Sequence, residues 1–501
     1  MLDAIMSGFM ALMTLQAIMF LVIGVAYGIF IGVMPGLGGV VAMTLLLPFT
    51  FGYEVEATLA LLLGAHIGTL WGDSVTSILF NVPGAAKGLA LVFDGYPMTL
   101  QGKGTRALGA SAMSVLLGGV IGAIFLAICI PFVRPLILLL GPPEYLMMAL
   151  WGMTLIATFS GGSLFKGLVA AVIGIFIALI GMDPVTATPR YTFGSIFLLD
   201  GVSFPVAMIG VFAIAEMMKL HLAKDSAISR KLIVDTSTVW EGVGDTFKHW
   251  GLVVRSSILG LWIGVLPGVG GSAGGIAAYA QAVQTSKNPE LFGKGNVEGV
   301  IAPEATLGAN EGGGLLPTLA FGIPGGDSMA LLLIAFMNMG IAPGPGMLTE
   351  HLDVVFALVW IVVLGCILTA VMGMAISPWL ARMPSLNENL LIPIVLCVCF
   401  VGAYATRGRF EDIIVATVFG AIGYLMEKYE YSRANLIIGM VLATVIERSL
   451  HVSLTLHGPT FIFTQPITFV MFCLIIITAV LPFIRKNRSD RAQKILSQGG
   501  I

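Results

Sequence analysis

Two short segments combine proline and glycine in a way that exposes backbone groups able to bind ions. One is Pro35-Gly36-Leu37-Gly38-Gly39; the other is Pro267-Gly268-Val269-Gly270-Gly271, followed at once by Ser272. Proline removes a backbone donor and clashes with the preceding turn. Glycine permits positive φ and lets a ligand approach the chain closely. A helix broken at such a point presents N–H groups with partial positive charge, suited to an anion, and carbonyls suited to Na⁺. No formal charge is then needed at the membrane midplane, where an Arg or Lys costs about 2.5–3.5 kcal/mol on insertion scales. The expected substrate-binding residues here are Pro35, Gly36, Gly38, Gly39, Pro267, Gly268, Gly270, Gly271 and Ser272.

A second pair of breaks follows: Asn81-Val82-Pro83-Gly84 and Gly322-Ile323-Pro324-Gly325. Asn81, Pro83, Gly84, Pro324 and Gly325 join the substrate-binding candidates, with Asn81 the foremost polar one. Hydroxyls and amides nearby, from Ser74, Thr76, Ser77, Asn310, Thr318 and Ser328, are candidate cation ligands. His66 and Asp73 share a helix face two turns apart; they suit a structural hydrogen bond better than a proton relay. Glu311 sits beside Asn310 in the stretch LGANEGGG, and Glu216 and Glu447 each close an apolar run, where they mark the interface. Gly24, Gly28 and Gly32, at four-residue spacing, read as a packing face. No metal-site spacing is present; the cysteines, Cys129, Cys366, Cys397, Cys399 and Cys473, lie in apolar runs as core filling.

These motifs sit in a chain of 501 residues that is 57% hydrophobic and only 10% charged. So little charge cannot cover a soluble surface of this size. Apolar runs such as Leu108–Ile130, Leu168–Met182, Val354–Ile376, Ile413–Met426 and Phe469–Ile484 approach the roughly 20 residues that a spanning helix needs. They lack period-two alternation, which argues against a β-barrel. The expectation is an all-α integral membrane protein, with residues 12–34 a retained helix because no basic stretch precedes it. A net charge of −2 points away from nucleic acid.

The chain repeats itself. GIFIGVMPGLGG, opening at Gly28, matches GLWIGVLPGVGG, opening at Gly260, with eight of twelve positions identical. Phe80, Pro83 and Gly84 recur as Phe321, Pro324 and Gly325. The halves cover residues 1–220 and 251–450, joined by a basic linker, 221–250, read as cytoplasmic. A final span and basic tail, 451–501, follow. Equivalent loops carry opposite charge: Lys87, Lys103 and Arg106 follow the second break of the first half, whereas 326–353 has no Lys or Arg. Glu54 and Glu56 in the first half correspond to Lys287 and Lys294 in the second. Since Lys and Arg favour the cytoplasmic side, the halves are expected to be inverted repeats, with broken helices or re-entrant hairpins. Arg407 and Arg409 fall on the outer side in this scheme, against the rule.

GVMPGLGG, GVLPGVGG, NVPG, DGYPM (Asp94–Met98), GIPGG and GIAPGPGML (Gly340–Leu348) together resemble the large membrane subunit of the tripartite tricarboxylate transporter family, over nearly the whole chain. That resemblance implies uptake of organic carboxylates driven by an ion gradient in a bacterial inner membrane. It also implies a periplasmic solute-binding protein and a small membrane subunit as partners. Na⁺ is the expected coupling ion; no other cofactor is expected. No Gly-x₄-Gly-Lys-Ser/Thr occurs, so the chain itself has no means of ATP hydrolysis. An enzyme is not expected: Pro324-Gly325-Gly326-Asp327 and Gly270-Gly271-Ser272-Ala273 both fail the intramembrane protease patterns. A passive anion channel is the remaining alternative.

Overall fold

A computed structural model describes residues 2–480 apart from 35, 138, 160–163, 184, 185, 223–236, 269 and 382–387. Pro35, the side chain of Ser272, much of the basic linker and the basic tail therefore lie outside the described residues. The fold is an all-α polytopic membrane bundle. Among the described residues the strands are one antiparallel pair, Gly181–Met182 with Pro189–Arg190. Among the described residues, six helices are long and apolar enough to span a bilayer: Leu15–Gly32, Val55–Phe80, Gly104–Ile137, Phe204–Leu222, Leu352–Leu380 and Arg433–His457. The apolar run at 168–182 departs from expectation, because its helix ends at Ala178 and Gly181–Met182 turns into the strand pair. Cys397 also departs: it is exposed, whereas Cys366 and Cys399 are buried.

Two compact units are present, and each draws on both halves of the chain: Met1–Pro135 with Ser203–Leu425, and Leu136–Val202 with Met426–Ile501. The first unit contains all four helix breaks. Its first half runs through Leu15–Gly32, a break, Gly39–Leu46, Val55–Phe80, a second break and a 3₁₀ turn at Ala86–Val92. The second half repeats the pattern with Trp250–Val265, a break, Gly270–Thr285, Glu298–Phe321, a break and Asp327–Asn338. Thr14 caps the first of these helices by accepting from the Ala17 N–H at 3.2 Å.

Glycine decides how the helices meet. A Cβ on Gly28 would stand 2.0 Å from the Ala65 carbonyl oxygen, and one on Gly32 would stand 2.9 Å from Gly72 Cα. The corresponding glycines of the second half behave alike: a Cβ on Gly260 would lie 2.3 Å from the Thr306 oxygen, and one on Gly264 would lie 2.9 Å from Gly313 Cα. Gly24, Gly28 and Gly32 thus form a packing face. Lipid tails are as apolar as leucine, so close backbone contact and dispersion hold such helices together.

In the second unit, Leu164–Ala178 packs on Arg433–His457 through the same device. A Cβ on Gly174 would meet the Leu436 oxygen at 2.0 Å, and one on Gly439 would meet the Ala171 oxygen at 2.1 Å. Glu447 receives Arg190, whose second nitrogen donates at 3.2 Å, and Arg190 also lies 3.3 Å from Asp183. This pairing ties the strand pair to the long helix within that unit.

Candidate functional site

The break between Gly32 and Gly39 turns at Gly36. Gly36 has φ +83°, a left-handed conformation that glycine adopts without strain, and its N–H donates to the Gly84 carbonyl at 2.8 Å. The first and second breaks of this half are thereby bonded together. Gly268, the equivalent of Gly36, has φ +85°. Gly38 does not use this freedom, since its φ is −80°. What it supplies is room: a Cβ there would lie 3.1 Å from Ala85 Cβ and 3.7 Å from Asp73 Oδ2.

The second breaks also match. Asn81 ends its helix in the left-handed region at φ +63°, and Gly322 ends the corresponding helix at φ +67°. After each, one N–H reaches back six residues: Val82 to Thr76 and Ile323 to Pro317, both at 3.3 Å. Asn81 is exposed, and this left-handed cap is a role that asparagine tolerates and glycine fills freely.

The segments after the breaks cross between the halves. Gly39–Leu46 packs against Asp327–Asn338, and Gly270–Thr285 packs against Ala86–Val92. Each segment that follows a first break thus meets the one that follows the other half's second break. The scaffold is symmetric at this point, but the side chains are not. A Cβ on Gly39 would meet His66 Nδ1 at 2.2 Å, whereas on Gly271 it would meet Leu307 Cδ2 at 2.9 Å and Lys87 Cδ at 3.3 Å.

A buried polar cluster fills the crossing. His66 Nε2 lies 2.9 Å from Glu311 Oε2, and Lys87 Nζ lies 3.5 Å from Glu311 Oε1. Glu311 therefore links a residue beside Gly39 to a residue beside Gly271. Ser111 donates to Glu304 Oε1 at 2.7 Å, and the Ser74 hydroxyl lies beside the same carboxyl. Gly84 packs on Asp73, where a Cβ would stand 2.7 Å from Asp73 Cα. Glu216 also borders the site rather than only marking an interface, since a Cβ on Gly36 would lie 3.1 Å from its Oε1.

The expected hydroxyl ligands are partly engaged. Ser74 donates to the Leu70 carbonyl at 3.0 Å, while Thr76 and Ser77 donate to that of Asp73 at 3.0 and 3.1 Å. Their oxygens keep lone pairs. Thr318 donates to Gly314 at 2.6 Å and accepts the Gly325 N–H at 3.1 Å, so it holds its own break together. Ser328 is buried, and Asn310 Oδ1 is buried without a partner. Pro83, Gly84 and Pro324 with Gly325 lie at the second breaks, and Pro267 is buried at the first. His66 and Asp73 share a helix, yet His66 pairs with Glu311 and not with Asp73. Glu311 drew notice in the sequence beside Asn310, but its partners did not, and Lys87 and Glu304 were not among the site residues expected from sequence. Their one signal was charge within otherwise apolar, glycine-rich surroundings.

The Tripartite tricarboxylate transporter TctA family matches the chain over residues 18–438, which takes in both halves and all four breaks. The chain belongs to this family. It is therefore a membrane component of a transporter, of a family that implies partner subunits. An uncharacterized 52.8 kDa protein in the TAR-I ttuC' 3' region of Agrobacterium vitis is 30% identical over 487 residues, 96% of each chain. An uncharacterized protein in the TAR-II ttuC' 3' region of the same organism is 30% identical over 236 residues, 47% of this chain and 98% of that protein. No solved structure matches the chain significantly.

Proposed function

We propose that this TctA-family chain is the large transmembrane subunit of a secondary transporter that imports an organic carboxylate, coupled to cations and with Na⁺ preferred. A periplasmic binding protein delivers the substrate and a small membrane subunit completes the complex in the bacterial inner membrane. One observation carries the reading: the segments after four helix breaks cross in pairs beside a polar cluster of buried His66, Asp73, Glu304 and Glu311 with half-buried Lys87. Broken helices at depth serve substrate and ions where irregular backbone lines a protected site.

Energy supports coupling. Importing a dianion against 100 mV, negative inside, costs about 4.6 kcal/mol at roughly 2.3 kcal/mol per charge. Two Na⁺ cancel that charge, and a third lets the potential drive uptake. Inverted orientation of the two halves supports alternating access, and the opposite charges of equivalent loops favour it. Arg407, which falls on the outer side, donates to Asp412 Oδ2 at 3.0 Å, and this neutralisation reduces its weight in the charge rule.

Reconstitution with the partner subunits tests the reading. Uptake of a carboxylate into proteoliposomes should follow an inward Na⁺ gradient at equal pH and, at low substrate, should require the binding protein. Uptake indifferent to Na⁺, or passive anion conductance without saturation, would overturn it.

A further inference from the structure

The helix Trp250–Val265 has two unlike faces. Small residues, Ser256, Gly260 and Gly264, meet the Glu298–Phe321 helix: Thr306 donates to the Ser256 carbonyl at 2.8 Å, and the two glycines admit close backbone contact. Large residues, Trp250, Val254, Ile258 and Trp262, recur at every fourth position on the other side, and all four are exposed. Helices that associate in lipid meet through small residues, so an exposed stripe of this bulk suits acyl chains. Its Trp250 end has the composition of a membrane interface, since Trp240, Phe247 and Lys248 are exposed just before it.

The same stripe, with Arg255, Leu259 and Gln281 of the Gly270–Thr285 helix, lines a cavity of about 440 Å³. Arg255 Nε is buried with no hydrogen-bond partner, and among the described residues no carboxylate pairs with this guanidinium. Gln281 Oε1 is buried and bare as well, so the two side chains do not satisfy each other there. Arg255 lies five residues past Trp250, about 7.5 Å along the axis at 1.5 Å per residue. Its charge is permanent, and at that depth an unpaired guanidinium calls for an anion.

We propose that this cavity holds an anionic phospholipid with a hydroxylated headgroup. The Arg255 guanidinium donates to the phosphate, whose geometry matches its fork of N–H groups. Gln281 Oε1 accepts a headgroup hydroxyl, because a phosphate diester alone has no donor for it. The acyl chains lie along Val254, Ile258 and Trp262. Basic pockets between membrane helices recognise anionic lipids in this way. A partner helix fits less well, since Gly251 is the one small residue in the lining.

Tryptophan quenching by brominated lipid tests the proposal on the purified full chain in phosphatidylcholine bilayers. The chain has 7 tryptophans, of which Trp250 and Trp262 report on the cavity. Brominated phosphatidylglycerol should quench a component of the wild-type emission at a mole fraction at least about tenfold lower than brominated phosphatidylcholine requires. The W250F/W262F variant should lose that component. R255Q should abolish the preference, R255K should keep part of it, and K248Q, at an exposed lysine, should keep it in full. R255Q loses no internal partner, so it should melt with the wild type in phosphatidylcholine. Phosphatidylglycerol should raise the melting temperature of the wild type and not of R255Q. Equal quenching by the two lipids, a preference retained in R255Q, or marked destabilisation of R255Q in phosphatidylcholine would each overturn the assignment. So would displacement of the brominated lipid by inorganic phosphate, which would make the cavity a soluble-anion site. Displacement by a co-reconstituted small membrane subunit would overturn it too and make the groove a subunit interface.

Discussion

The His66 imidazole and the Glu311 carboxylate lie 2.9 Å apart and buried, on corresponding helices of the two halves. Glu311 needs a donor there more than it needs a titrating base. His66→Gln keeps an N–H donor and should retain Na⁺-driven uptake. His66→Leu removes the donor, and uptake or stability should fall by the equivalent of about 1–3 kcal/mol. Parallel uptake and melting measurements on both variants check this, and loss of uptake in His66→Gln together with indifference to Na⁺ would favour a proton relay.

Asn81 offers a test of backbone against side chain. Its φ of +63° matches the +63 to +67° range it shares with Gly322. Asn81→Gly should therefore support uptake close to the wild type, whereas Asn81→Ala should cost about 1 kcal/mol or more through strain in the left-handed region. If Asn81→Gly folds normally and fails to transport, the amide is a ligand.

Gly36 and Gly268, at φ +83° and +85°, should be the least replaceable glycines of their motifs on conformational grounds. Alanine at either should cost about 1–3 kcal/mol and disturb the break. Gly38→Ala is limited by the 3.1 Å approach to Ala85 Cβ and not by φ. Expression, melting temperature and uptake of the three variants should rank Gly38→Ala as the mildest.

Lys103 and Glu350 are exposed and lie in equivalent loops of the two halves. Cysteines at these positions, in a background lacking the native thiols, should be labelled by an impermeant reagent from opposite faces of the membrane. Labelling of both from the same face would rule out inversion.

The sequence by itself determined the class, the repeat and the breaks. Apolar runs of spanning length leave helices as the structure that satisfies the backbone in lipid, and Pro-Gly pairs interrupt helices by local sterics. These are properties of consecutive residues, so they are legible in one dimension. The four-residue spacing of Gly24, Gly28 and Gly32 was legible for the same reason. Tertiary structure alone decided which charges meet. Glu311 lies 245 positions from His66 and 224 from Lys87, and no local pattern encodes those distances. Glu216 likewise looked like the end of an apolar run until packing placed it beside Gly36. Helix crossing sets such neighbours: symmetric glycines let the two halves pack alike, and the crossing then brings unlike side chains, His66 and Leu307, to matching positions. The repeat was written in the sequence; the asymmetric cluster that breaks it exists only once the helices have crossed.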